Sequence, residues 1–245
     1  MSDTPNFSNV YNDQARADAY ATLEFPGTYL LAYRDLPAII GAHVPAGKAI
    51  DFGCGAGRST RFLRRLGFDV MGVDISEAML ARARTFDPAG DYRLVGDGDV
   101  STLPRGGCDL VLSAFTFDNI PTREKKVALF KGLTGCLRTG GRIVSLVSSP
   151  DIYLNEWASF STKDFPSNRN AQCGDRVLIV MLDVADRRPV EDILWTDEGY
   201  RDVYERAGLK VVEVYRPLGK PDDGPSWVSE TRIAPWVIYV LEPVR

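Results

Sequence analysis

One histidine, His43, stands in 245 residues, and it precedes the first strand-like run, in a segment that reads as helical. A buried or capping role suits it there, so no histidine general base is expected. The four cysteines (Cys54, Cys108, Cys136 and Cys173) form no C-x-x-C pair and lack the density of a disulfide scaffold, which favours a reducing compartment. No Cys/His/Asp cluster has metal-ligand spacing, and no metal is expected. No apolar run approaches the roughly 20 residues that span a bilayer, and the polar, acidic start has no apolar signal-peptide core. The expected location is the cytoplasm, away from membranes. A net charge of -4 and a pI near 5.2 argue against nucleic acid or an anionic surface as partner. That leaves a small molecule as the expected partner, with the chain a monomer or a homodimer.

What the chain does have is alternation. Apolar runs at 48–52, 69–74, 92–97, 108–115 and 140–148 read as strands. Between them lie amphipathic stretches: "RSTRFLRRLG" closed by Gly67, "SEAMLARARTF" with Ser76 as N-cap, and "TREKKVALFKGLTGCL" at 122–137. Arg58, Arg61, Arg64 and Arg65 fall at helical spacing and read as a solvated helix face. The pattern predicts an α/β, Rossmann-like fold with a parallel sheet and helices on both faces. It breaks at 149–195, an irregular aromatic stretch followed by two β-rich runs, read as an inserted lid and hairpin with Trp195 in the core. A helix closed by Gly208 and two more strands follow, around the proline- and glycine-rich loop "RPLGKPDDGPSW". The whole reads as one domain: a helical lid to 45, a ligand-binding core from 46 to 148, the insertion, and a C-terminal helix and strands from 196.

The densest glycine loop, "AIDFGCGAGRST" at 49–60, follows the first strand. Ligands of such sheets bind at the carboxyl ends of the strands. A dinucleotide fingerprint G-x-G-x-x-G fits Gly53 and Gly55 but meets Arg58 at its third glycine, with the extra glycine at 57. No G-x-x-x-x-G-K-[ST] run exists, so a P-loop is excluded. Asp51 beside the loop would repel a pyrophosphate and suits a ligand carrying an ammonium or sulfonium. Asp74, ending the second strand, reads as a ligand acid or as a turn cap.

The "D-x-G-x-G-x-G" loop, Asp74, the "GD" at 96–97 and "LRTGGRIV" resemble, in that order, the class I S-adenosylmethionine-dependent methyltransferases. The resemblance covers most of residues 45–150. It implies a seven-stranded, mostly parallel sheet with one antiparallel strand, and S-adenosylmethionine as cofactor. It also implies a cofactor site in which Gly53, Gly55 and Gly57 let the backbone approach the methionine end. In that site Asp74 takes the ribose hydroxyls, Ile75 and Met79 flank the adenine, and Asp97 with Gly98 faces its amino edge. Asp51 and Phe115 complete the site, and Tyr20 and Tyr11 close over it, Tyr11 on the substrate side.

Where many relatives carry two histidines in the turn after the fourth strand, this chain has Asp118 and Asn119. They read as a helix N-cap before Pro121 or as a group that orients substrate, and are the catalytic candidates. Methyl transfer gains most from near-attack geometry, and needs a base only when the nucleophile keeps its proton. Tyr153, Trp157, Trp227 and Trp236 are the aromatic candidates for stacking on a flat substrate, with ordinary core packing as the other reading of each. The flanks, "YNDQARADAYATLEFPGTYLLAYRDLP" and "WVSETRIAPWVIYVLEP", look like small-molecule N-methyltransferases of bacterial secondary metabolism that act on azapteridine rings. O-methylation of a phenol or carboxylate is the alternative, as is a sensor that binds S-adenosylmethionine without turnover. An NAD-dependent dehydrogenase is disfavoured by Arg58.

Overall fold

The computed structural model describes residues 25–244. Its strands are β1 (Lys48–Phe52), β2 (Asp69–Asp74), β3 (Asp91–Leu94), β4 (Cys108–Ala114), β5 (Leu137–Ser148), β6 (Phe160–Ser161), β7 (Arg176–Met181), β8 (Val190–Ile193), β9 (Leu209–Tyr215) and β10 (Trp236–Pro243). β1 is buried at every position but Lys48, and β4 at every position but Ala114, as strands covered on both faces must be. Seven of them form one sheet in the order β3-β2-β1-β4-β5-β10-β9. β10 runs antiparallel to both neighbours and the remaining pairs are parallel, which is the expected architecture. The order reverses between β1 and β4, and there the strand ends open a crevice.

The helices are α1 (Tyr29–Tyr33), α2 (Leu36–His43), α3 (Arg58–Arg65), α4 (Glu77–Phe86), α5 (Arg123–Thr134) and α6 (Asp197–Arg206). The first three cover one face of the sheet, while α5 and α6 cover the other. Ser76 caps α4 by accepting from the Met79 N–H, and Gly67 and Gly208 turn left-handed just beyond α3 and α6, as expected of these residue types. Some boundaries differ from the sequence reading. α5 stops at Thr134 and β5 begins at Leu137, because Leu137 pairs with Cys108 of β4. β3 ends at Leu94, where its pairing with Asp74 of β2 ends.

The basic cluster on α3 also divides. Arg64 and Arg65 face solvent, but Arg58 is buried, its guanidinium 4.9 Å from the ring centre of Tyr29 and 5.4 Å from that of Tyr33. It sits in the first turn of α3, turned toward the aromatic face of α1, where cation–π attraction offsets desolvation.

The insertion folds as a three-stranded antiparallel sheet, β6-β7-β8. Fully buried Glu230 ties it down, accepting from Thr28 Oγ1 at 2.6 Å and from the Ala158 N–H at 2.7 Å. One carboxylate thus joins the start of α1, the insertion and the loop before β10, and fixes Tyr29 above the ends of the central strands. No helix of the described residues is long and apolar enough to cross a membrane.

Candidate active site

Two cavities open at the carboxyl ends of the central strands, and they share a wall. The first, about 930 Å³ of empty space with its open mouth included, lies over the ends of β1, β2, β3 and β4. Gly53, Gly55, Asp74, Ile75, Met79, Asp97, Gly98 and Phe115 all line it. Gly53 has a φ of +74°, and a Cβ there would lie 2.0 Å from Thr116 Oγ1. The turn after β4 comes too close for any side chain, and Thr116 Oγ1 locks that approach by donating to the Phe52 carbonyl at 2.9 Å. Gly57, with φ +79°, is blocked instead by the Tyr92 hydroxyl at 2.5 Å and does not reach the cavity.

Asp74 accepts from the Gly55 N–H and the Ser76 N–H, both at 2.8 Å. These bonds lock the glycine loop to the end of β2, and the half-buried carboxylate keeps lone pairs for a ligand. Burial pushes its pKa above the ordinary value, against the pull of those N–H groups. Asp51 does not line the cavity. It is fully buried, and Oδ2 takes both the Ser59 and Thr60 hydroxyls, at 2.7 and 2.6 Å, while Oδ1 has no partner. Desolvation raises its pKa to about 6. Lys125, which sequence reasoning missed, lines the far wall and pairs with Asp97 at 2.5 Å. Its position in the first turn of α5, whose N-cap is Thr122, was the available signal.

The second cavity, about 450 Å³ of empty space with its open mouth included, is lined by Tyr29, Phe115, Tyr153, Phe160 and Trp236, with apolar residues of β7 and β8. Trp236 is its centrepiece: the ring lies 4.7 Å from Phe115, 5.7 Å from Phe160 and 5.8 Å from Tyr29, all centre to centre. Phe115 and Asn119 line both cavities. Phe115 has φ +65°, the one non-glycine residue with positive φ among the described residues. That conformation costs on the order of 1–3 kcal/mol and marks functional sites. Here it turns the ring into the partition between the two spaces, and the Phe115 N–H donates to the Leu146 carbonyl at 2.8 Å.

Among the substrate candidates, Tyr153 and Trp236 line the second cavity. Trp157 is core, its Nε1 donating to the Ile152 carbonyl at 2.8 Å. Trp227 packs on Gly219 and donates to the Lys220 carbonyl at 2.8 Å, away from both cavities. Tyr11 and Tyr20 lie outside the described residues. Trp195 is buried in the core on the α5–α6 side. His43 ends α2 and meets Glu213 Oε2 at 3.2 Å, lining neither cavity.

Asp118 and Asn119 do not cap a helix. They lie in a 3-10 turn at Thr116–Asn119. Asn119 Nδ2 donates to the Phe115 carbonyl at 3.4 Å. Asp118 is buried and saturated, accepting from the Ser148 N–H, the Ser148 hydroxyl at 2.8 Å and the Tyr200 hydroxyl at 3.2 Å. Burial raises its pKa to about 6. Behind it, Lys126 is wholly buried, donating to the Phe117 carbonyl and lying 4.8 Å from the centre of the Trp195 ring. Desolvation lowers its pKa to about 7. Among the described residues no group of three or more His, Cys, Asp or Glu side chains could hold a metal ion.

Residues 50–145 match the family described as "Methyltransferase domain". An uncharacterised methyltransferase of a Geobacillus species is 34% identical over 97 residues, 39% of this chain and 44% of that protein. Carboxy-S-adenosyl-L-methionine synthase of Chromohalobacter salexigens is 31% identical over 145 residues, 56% of this chain and 51% of that protein. The chain thus spans about half the length of the curated relatives it matches. The CcbJ methyltransferase of Streptomyces caelestis is 17% identical, superposes with a TM-score of 0.65, and covers 96% of this chain and 98% of its own. At that identity the likeness establishes the fold, which is the Rossmann-like class I methyltransferase fold.

The cofactor of this domain is S-adenosylmethionine, and the first cavity fits it. The charged lining is Asp74, Asp97 and Lys125, with Lys125 committed to Asp97. That balance suits a sulfonium and an ammonium and works against a pyrophosphate. Glycine backbone at 53 and 55 leaves the floor bare where a ligand must approach closely.

Proposed function

We propose that the chain transfers a methyl group from S-adenosylmethionine to a ring nitrogen of a small planar heterocycle, an azapteridine of the toxoflavin type. One observation carries this reading: a second, aromatic cavity meets the first at Phe115 and Asn119. A sensor of S-adenosylmethionine has no need of that second space. When bound, the cofactor supplies a methyl carbon made electrophilic by the adjacent sulfonium.

The residues of this chain do the rest by placement. Tyr29, Phe115, Phe160 and Trp236 present rings to a flat substrate, and each stacked or edge-on pair contributes about 0.5–1.5 kcal/mol beyond area burial. Phe115 fixes the boundary across which the nitrogen approaches the methyl carbon, and Asn119 reaches both spaces. The flanking segments that resemble azapteridine N-methyltransferases supply the substrate class, and Trp236, within the second of them, is the ring at the centre of the cavity.

The test is turnover on a panel of nitrogen heterocycles, phenols and carboxylic acids with S-adenosylmethionine, products identified by mass spectrometry. Methylation at ring nitrogen is expected. Tight binding of S-adenosylmethionine with no turnover of any panel member would favour the sensor, and methyl ester products would favour the O-methyltransferase reading.

A further inference from the structure

A carboxylate that the sequence reading passed over faces the second cavity from the inserted sheet. Asp192 belongs to β8 and lines that cavity. Its Oδ2 lies 3.1 Å from the Tyr153 hydroxyl, and its Oδ1 accepts nothing from the described residues. It differs in this from Asp118, on the same cavity, whose oxygens are already filled by Ser148 and Tyr200. The remaining lining is aromatic and aliphatic, with the Ser148 hydroxyl spent on Asp118 and the Asn119 amide on the Phe115 carbonyl. Among the described residues no Lys or Arg side chain lines the cavity. A substrate held among those rings therefore meets one carboxylate with free lone pairs.

We propose that Asp192 is the specificity-determining residue of the second cavity, accepting a hydrogen bond from a ring N–H or amino group of a flat heteroaromatic substrate. The inference rests on the methyl-transfer reading above and names the chemistry that reading leaves open. An acceptor in an apolar slot rewards a donor and penalises its absence, because an unpaired buried polar group loses its solvation without return. Two neighbouring carboxylates also repel an anionic ring or a carboxylic acid.

The groups around Asp192 set a direction for pH. Asp118 faces it from the turn after β4, the Tyr153 hydroxyl from the turn after β5, Lys126 from α5, and Glu191 precedes it on β8. Burial and the neighbouring Asp118 charge raise the Asp192 pKa to about 7, with the Tyr153 hydroxyl and Lys126 pulling the other way. The ionised form is the better acceptor, so affinity for an N–H donor rises as pH rises through about 7.

The probes are lumazine, a pteridinedione with two ring N–H groups, and N,N′-dimethyllumazine, the same ring with neither. Each is titrated calorimetrically into the full chain with and without S-adenosylhomocysteine. The unmodified protein is expected to prefer lumazine by roughly 10- to 100-fold, the range of a hydrogen bond to a charged group. That preference should grow from pH 6 to pH 7.5. Asp192→Asn and Asp192→Ala should reduce it to a few-fold and remove its pH dependence, with S-adenosylhomocysteine affinity unchanged and cooperative unfolding retained. Rescue of part of the preference in Asp192→Glu would support an acceptor role over a packing role. A preference that survives in Asp192→Asn, one flat with pH in the unmodified protein, or no binding of either ring would overturn the proposal. Failure of S-adenosylhomocysteine to bind the unmodified protein reports on the first cavity alone. It would overturn the methyl-transfer reading, while the lumazine preference is scored on its own titration.

Discussion

Replacing Asp74 by alanine removes an acceptor that the fold and the ligand use together. Its two oxygens hold the Gly55 and Ser76 N–H groups, both at 2.8 Å, and its outer face lines the first cavity. For the ligand, losing a hydrogen bond to a charged acceptor costs about 1.5–3 kcal/mol, which is roughly 10- to 150-fold in Kd. The fold loses less, about 1–2 kcal/mol, because Asp74 is half-buried at the cavity edge and water can reach the freed N–H groups. Affinity and stability are therefore expected to separate: a large loss of S-adenosylhomocysteine binding by calorimetry, beside a modest fall in the denaturant midpoint. Asp74→Asn should lie between, since the amide oxygen can still accept from one of the two backbone groups. Unchanged affinity in an alanine variant that unfolds cooperatively would refute the assignment of the ribose hydroxyls to this residue.

The buried acids predict a pH dependence of stability. Asp192 and Asp118, raised to about 7 and about 6 by burial, bind more protons folded than unfolded between about pH 4 and those values. Their contribution to stability therefore falls as pH rises through that window. Lys126, lowered to about 7, binds fewer protons folded than unfolded above that pH, so its contribution recovers as pH rises toward 10. Urea unfolding of Asp192→Asn should lose less stability than the unmodified chain between pH 5 and 7, and an equal loss would contradict the placement of this carboxylate. His43→Ala should leave kcat within about twofold and stability within about 1 kcal/mol, the worth of a polar contact at the surface. A hundredfold fall in kcat would instead place a base where the fold puts a surface contact.

The parts of the site that were legible in the sequence are those built by short stretches of chain. Gly53 and Gly55 are needed because the backbone itself takes positive φ there, and Asp74 stands at the end of a strand whose length local pattern sets. Ser76, Gly67 and Gly208 mark helix ends for equally local reasons. Asp51 shows the limit of that reasoning. Its place beside the loop suggests a ligand contact, but the hydroxyls that claim it come from Ser59 and Thr60, eight and nine residues onward in the first turn of α3.

Everything in the second cavity was decided by tertiary structure. Asp118 looks like a helix cap beside Pro121, but Thr122 takes the cap, and Asp118 turns instead to Ser148 and Tyr200, 30 and 82 residues away. Asp192 and Tyr153 meet across 39 positions through the pairing of an inserted sheet whose existence was readable but whose docking was not. No local rule separates Trp236 from Trp157 or Trp227, because an aromatic ring favours burial equally in a core and in a binding slot. By itself the sequence determined the α/β alternation, the bare glycine floor and the acid at the end of β2, all properties of the backbone's local geometry. Which rings and which carboxylates face the second space depended on long-range contacts, the Glu230 clasp and the β6-β7-β8 sheet, and these exist only once the chain has closed on itself.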